Sequence, residues 1–173
     1  MRLAAIDIGS NAARLLITDV ISGPQGAAEF IKTVLVRVPL RLGFDVFDKG
    51  EISVGKVEKI IKTIKSYKLL LDVYEVKHLK ACATSAMRDA VNAPEIIKKV
   101  QTGTGIGIEV ITGDQEASLI YENHIAENLS VEESYLYIDV GGGSTELTFF
   151  SDGKMVFKKS FNIGTIRLLK NQV

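Results

Sequence analysis

The chain has 173 residues, room for one ordinary domain or one domain with part of another. Apolar residues make up 46% and charged residues 24%, the proportions of a globular protein and not of a disordered one. The 21 Lys and Arg balance 21 Asp and Glu, so there is no basic excess of the kind a general nucleic-acid binder carries, while a local anion site made of backbone amides stays open.

In chain order, Leu3–Ile8 reads as a short strand ending in Asp-Ile-Gly-Ser-Asn. Arg14–Ile21 and Phe30–Val38 read as the next two strands, separated by the turn cluster Ser22-Gly-Pro-Gln-Gly26. Val57, Ile60, Ile61, Ile64, Tyr67 and Leu71 recur at helical spacing and predict a helix over 53–74. Lys56, Lys59, Lys62, Lys65 and Lys68 stripe its other side, which reads as a solvated face. His78–Ala83 is a fourth strand, in which the lone cysteine, Cys82, reads as buried and unreactive. Asn92-Ala-Pro-Glu95 opens a second helix, with Asn92 as N-cap and Glu95 in a capping box, and Gly103–Gly107 ends it. Ile108–Ile111 is a fifth strand, and Thr112-Gly-Asp-Gln115 starts a helix expected to reach Asn128, again through a capping box. Tyr135–Val140, Thr145–Phe150 and Lys154–Ser160 are the last strands, with Ser151-Asp-Gly153 as a hairpin turn. His78 and His124 have no ligand pattern around them, and Asn128-Leu-Ser130 matches a glycosylation triplet by chance. No apolar run reaches the length of a membrane span, and Asp7 interrupts any leader-like core behind Arg2. A cytoplasmic protein without membrane or nucleic-acid partners is therefore the expectation.

The most informative feature is a repeat. Ala4–Ile17 matches Leu136–Phe149, 132 residues further on, and each copy reads strand, Asp, tight turn of small residues, strand. We expect two related α/β domains, 1–128 and 129–173, the second incomplete. A strand ending in Asp and followed by small residues exposes backbone N–H groups that a phosphate can approach closely. Gly141-Gly-Gly-Ser-Thr145 is the stronger cradle and Gly9-Ser-Asn11 the weaker. No Gly-Lys-Ser/Thr follows, and a strand instead of a helix comes after each turn, so neither the Walker nor the dinucleotide pattern applies. Asp7 and Asp139 would flank the phosphates, and carboxylates there call for a hard cation such as magnesium. Glu146 stands where the first copy has Arg14, and reads as a ligand, a base or an exposed strand residue.

These residues, in this order, resemble the exopolyphosphatase and guanosine pentaphosphate phosphatase family of the actin, Hsp70 and sugar-kinase superfamily. The resemblance rests on Ile6-Asp-Ile-Gly-Ser-Asn11 with Arg14-Leu15, Arg41-Leu-Gly43, Ala83-Thr-Ser-Ala-Met-Arg-Asp-Ala-Val-Asn92, Gly113-Asp-Gln-Glu-Ala117, Ile138–Leu147 and Gly164-Thr-Ile-Arg-Leu168. It implies an actin-like ATPase (ribonuclease H-like) duplication. It also implies hydrolysis of terminal phosphoanhydride bonds, in inorganic polyphosphate or in guanosine penta- or tetraphosphate, with magnesium or manganese. By the same resemblance Glu116 would be the general base and Glu146 would assist it. Asp139, Glu146 and Asp7 would hold the metal. Gly9, Ser10, Asn11, Arg14, Ser85 and Gly141, Gly142, Gly143, Ser144 and Thr145 would hold phosphates, with Arg88 contacting substrate from the opposite side and Arg41 a weaker member. Without the resemblance, Glu116 reads equally as a first-turn charge favoured by the helix dipole, which would lower its pKa. Thr84 and Ser85 read as N-caps and Arg88 as a solvated arginine.

The family has two complete domains. Here a second sheet would leave Leu136, Ile138 and Leu147 uncovered, an invitation to association, and the family tendency implies a homodimer. The competing functions are a small-molecule kinase of the same superfamily and a non-catalytic nucleotide or alarmone binder.

Overall fold

In the computed structural model the residues described are 1–23, 28–120, 130 and 132–172. The turn at 24–27, the end of the expected third helix at 121–128, and with it His124 and Asn128, lie outside them.

Alternating apolar residues build the first sheet. Strands β1 (Arg2–Ile8), β2 (Ala12–Ser22) and β3 (Ala28–Pro39) form an antiparallel meander. Strands β4 (His78–Ala83) and β5 (Glu109–Val110) add parallel at the other edge, giving the order β3-β2-β1-β4-β5. Ile6, Ile8, Leu15 and Ile17 point to one face and are buried there. Helices α2 (Val54–Val73) and α4 (Ala93–Thr104) join them in one core through Ile60, Ile64, Tyr67, Leu71, Ile96 and Val100. Each side chain buried in this way contributes about 1.5–3 kcal/mol. The Tyr67 hydroxyl also donates to the Ala13 carbonyl, 3.0 Å, which fixes α2 to β2.

Sequence and structure part at the short elements. Helices α1 (Gly43–Lys49), α3 (Ser85–Asp89) and α6 (Thr165–Leu169) are one to two turns long and carry no periodic signal. Asn92 caps nothing with its side chain: its Oδ1 accepts from Ile52 N at 3.0 Å and its Nδ2 donates to Ile52 O at 2.8 Å. Glu95 pairs with Lys99, one turn on, instead of closing a capping box. The box at the start of α5 (Gly113–Ile120) does form, with Thr112 N donating to Gln115 Oε1 at 2.8 Å and Gln115 N to Thr112 Oγ1 at 3.2 Å. Cys82 is buried, and burial pushes its thiol pKa up.

The second sheet has the order β6-β7-β8, from β6 (Tyr135–Val140), β7 (Thr145–Ser151) and β8 (Lys154–Phe161). The β7–β8 hairpin turns through Asp152 and Gly153, both at positive φ (52° and 67°), as its Asp-Gly sequence demands. Its inner face, with Glu146, Thr148 and Phe150 buried, packs on α5. Its outer face exposes Leu136 (57%), Ile138 (52%) and Val140 (57%), while Leu147 is half-buried. Among the described residues no helix is long and apolar enough to cross a membrane.

Candidate active site

The 132-residue repeat is visible in the hydrogen bonds. In the first loop Gly9 N donates to Ala12 O at 3.0 Å, and in the second Gly141 N donates to Ser144 O at 2.8 Å. Each loop is also held from behind by the short helix that follows its meander. Ser10 O accepts from Gly43 N at the start of α1, 2.9 Å, and Gly142 O accepts from Ile166 N in α6, 2.9 Å. Asn11 O further accepts from the amides of Leu40 (3.0 Å) and Arg41 (2.8 Å). Among the described residues the amides of Ser10, Asn11, Gly142 and Gly143 donate to no protein acceptor.

The loops meet face to face. A Cβ on Gly142 would come within 3.1 Å of Ser10 Cβ, and one on Gly143 would strike Ser85 Oγ and lie 2.6 Å from Phe47 Cζ. Neither position leaves room for a side chain. The buried hydroxyls of Ser10 and Ser85 share a 2.7 Å hydrogen bond, which ties the start of α3 to the first loop. Between them lies a pocket of about 140 Å³. Of the residues expected from sequence, it is lined by Asp7, Gly9, Ser10, Asn11, Arg14, Ser85, Glu116, Asp139, Gly141, Gly142, Ser144 and Glu146. Thr84, Ala12 and Val140 complete the wall.

Four expected residues sit elsewhere. Thr145 lies at the start of β7 and spends its hydroxyl on the Ile163 carbonyl, 2.5 Å. Gly143 packs under Ser85 and Phe47, and its carbonyl accepts from Arg167 Nε at 2.6 Å. Arg88 reaches back to the Ile111 carbonyl, 2.7 Å, so it acts on the pocket only as a nearby charge. Arg41 lines a separate cavity behind the first loop. Thr84 stands at the N-cap position of α3 without a side-chain cap bond, and Ser85 is bonded to Ser10, so neither hydroxyl caps the helix.

Two residues missed in the sequence hold the site. Ser160, opposite Glu146 in the β7–β8 register, donates to Glu146 Oε1 at 2.7 Å. Arg167 in α6 bonds Gly143, pairs with Asp89 of α3 and stacks its guanidinium 4.1 Å from the Phe47 ring centre. Strand register was the only signal for Ser160, whereas Arg167 stood inside the Gly164–Leu168 motif with no role assigned to it.

The electrostatics are acidic. Asp7 and Arg14, directly opposite in the β1–β2 register, form a loose exposed pair at 3.4 Å. Burial nevertheless raises the Asp7 pKa, with Asp139 adding to it. Glu116, in the first turn of α5, is pushed up to about 7, first by burial and then by Glu146, with Arg88 opposing. Burial thus overrides the helix dipole, contrary to the expected lowering. Glu116 Oε2 is buried with no hydrogen-bond partner.

Among the described residues no three acidic, His or Cys side chains are grouped closely enough to ligate an ion by themselves. The expected trio Asp139, Glu146 and Asp7 is therefore not a ready-made cage. The donor set still suits a hard cation that keeps most of its waters and takes one or two carboxylates plus substrate oxygens. An unbonded Glu116 oxygen and crowded carboxyls are what such a cation would relieve.

The comparisons with known proteins agree with this geometry. Over 95% of its length the chain is 35% identical to the bifunctional 3-dehydroquinate synthase/phosphatase of Fusobacterium nucleatum, covering 25% of that protein. It is 33% identical to exopolyphosphatase 2 of Mycobacterium tuberculosis, covering 96% of this chain and 53% of that one. Among solved structures, an exopolyphosphatase from Cytophaga hutchinsonii superposes with a TM-score of 0.87 at 31% identity, over 99% of this chain and 53% of that one. The Aquifex aeolicus Ppx/GppA protein gives 0.80 at 35%, over 98% and 54%. The ethanolamine utilization protein EutJ of Carboxydothermus hydrogenoformans, at 16% identity and a TM-score of 0.50, shares the fold alone. The expected α/β, actin-like architecture is thus met, and the chain spans a quarter to about half the length of the relatives it matches. The model of the Ppx/GppA phosphatase family matches residues 24–173, and the chain belongs to that family.

Proposed function

We propose that this pocket belongs to a phosphohydrolase that removes the terminal phosphate of inorganic polyphosphate or of guanosine pentaphosphate, with magnesium or manganese. The observation that carries the reading is Glu116: a buried carboxyl with an unbonded oxygen, placed between two loops whose amides are free to bind phosphate. Exopolyphosphatases among the relatives favour polyphosphate. The neutral chain and lone buried Cys82 fit a cytoplasmic setting.

Phosphoryl transfer asks mainly for positioning and charge neutralisation, with one group to orient water. The amides of Ser10, Asn11 and Gly142 hold the terminal phosphate in this reading. Glu116 orients a water and takes its proton as the oxygen bonds to phosphorus. The bond to the bridging oxygen breaks, leaving a chain one phosphate shorter. Asp139 and Glu146, held by Ser160, would hold the divalent cation, which supplies neutralisation of the phosphate charge when bound.

The test is phosphate release with magnesium from polyphosphate, guanosine pentaphosphate and ATP, on this chain and on a longer one extended past Val173. Glu116→Gln lowers release by about 10²–10⁴-fold, the usual worth of a positioned base. Release unaffected by that change would end the assignment of Glu116. Transfer of the phosphate to an added sugar or acetate, in place of release, would favour a kinase.

A further inference from the structure

Helix α5 meets β8 at two points. At the first, Gly113 opens the helix directly against the strand: a Cβ there would strike Ser160 Oγ and lie 2.5 Å from Ser160 Cβ. The φ of Gly113 is not positive, so lack of room, and not backbone conformation, calls for glycine at this position. At the second point, Lys158 Nζ donates to Ser118 Oγ, whose own hydrogen goes to the Asp114 carbonyl at 2.8 Å. Lys158 and Ser160 stand two residues apart on one face of β8, opposite the buried Thr148 and Glu146 of β7. That step along a strand is about 6.6 Å, and the five residues from Gly113 to Ser118 rise about 7.5 Å along a helix. The two lengths match, with α5 and β8 running in opposite directions. A helix held at both points is kept from sliding along the strand.

Glu116 lies between these points in α5, and it lines the reaction pocket together with Glu146. Glu146 accepts a 2.7 Å hydrogen bond from Ser160, the same residue on which Gly113 rests. One residue of β8 therefore touches both the helix that carries Glu116 and the carboxyl of Glu146. The amides read as holding phosphate, those of Ser10, Asn11 and Gly142, belong to the two loops and not to α5 or β8. A shift of α5 along β8 would displace the water-orienting group and leave the phosphate cradle where it is.

We propose that Lys158 and Ser160 are positioning residues that seat α5 on β8 and so set where Glu116 stands relative to Glu146 and the bound phosphate. The proposal rests on the reading of Glu116 as the group that orients water. Neither residue touches the reacting atoms. They act through Ser118, through Gly113 and through the Glu146 carboxyl.

The test measures kcat and KM for phosphate release from polyphosphate, on this chain and on the longer one, with a melting temperature for every variant. Ser160→Ala and Gly113→Ala each lower kcat by about ten- to a hundred-fold, the worth of a misplacement near 1 Å, while KM changes by less than about two-fold. Lys158→Met keeps the apolar stem and lowers kcat by a smaller factor, again with KM held. Gly113→Ala costs nothing further once Ser160→Gly has cleared the space, in kcat and in melting temperature alike. A kcat loss matched by an equal rise in KM, or a Gly113→Ala effect that Ser160→Gly leaves in place, overturns the proposal. If the parent releases phosphate and the variants keep its kcat, only the positioning role falls. If the parent releases none, the hydrolytic reading falls and the positioning role with it, while coupling in the melting cycle still shows whether Gly113 rests on Ser160.

Discussion

At Glu116 two physical effects compete, and burial wins. A first-turn carboxylate is stabilised by the helix dipole by about 0.3–1 kcal/mol, whereas burial beside other carboxyls moves pKa values by units. The native value of about 7 exceeds the ordinary 4.5, so the folded state holds this proton longer than the unfolded one. The stability from this group is therefore whole below about pH 4.5 and declines as pH rises through 7. Glu116→Gln removes that decline: in thermal melts the variant gains on the parent between pH 5 and pH 8, and a difference that does not grow with pH contradicts the burial of the charge. Activity runs the other way, because a base works ionised. Release rises with unit slope up to about pH 7 and is flat above it, provided Glu116 is the base. The sequence made this residue findable through its capping box and motif. It could not show the burial, which comes from β7 and β8 closing over α5.

At the scale of elements, the repeat was the legible part. Strand, Asp, turn and strand are local patterns, and both copies fold as read, with matching loop-closing bonds. The short helices α1 and α6 were not legible, and α3 only through its N-cap candidates Thr84 and Ser85, because helices of five to seven residues owe their existence to contacts and not to periodicity. Their consequence is the reassignment of Gly143 and Thr145 from phosphate donors to packing and anchoring positions. Gly143→Ala tests this. The added methyl strikes Ser85 and Phe47, so stability falls by about 1–3 kcal/mol in denaturant unfolding, and release falls with it. A variant as stable as the parent would show that the loops are not pressed together as described.

Across the whole molecule, one side chain carries much of the seam between the two sheets' loops. Arg167 is only 13% exposed, and it joins Gly143, Asp89 and Phe47 from three elements. Arg167→Ala leaves the Gly143 carbonyl and the Asp89 carboxylate without their partner, so it costs about 2–4 kcal/mol, read as a lower melting temperature. An Arg167→Lys variant recovers part of that and not the stacking. The outer face of β6 belongs to the same scale. Leu136, Ile138 and Val140 stand exposed together, and the expected outcome is self-association of this chain through them with rising concentration. In equilibrium sedimentation Ile138→Lys shifts the population toward monomer, and an unchanged distribution assigns association to another surface.

The meeting of the two loops also sets an order of events during synthesis. Residues 2–110 contain all five strands of the first sheet and both core helices, so that layer can assemble as soon as it leaves the ribosome. Gly141–Ser144 and the α6 turn that backs them emerge later, at about 5–20 residues per second. Until then Ser10 and Ser85 are wall without an opposite wall. The nascent protein passes through a stage that is largely folded and yet has no closed pocket, and that pocket comes into being only once residues 141–169 have emerged.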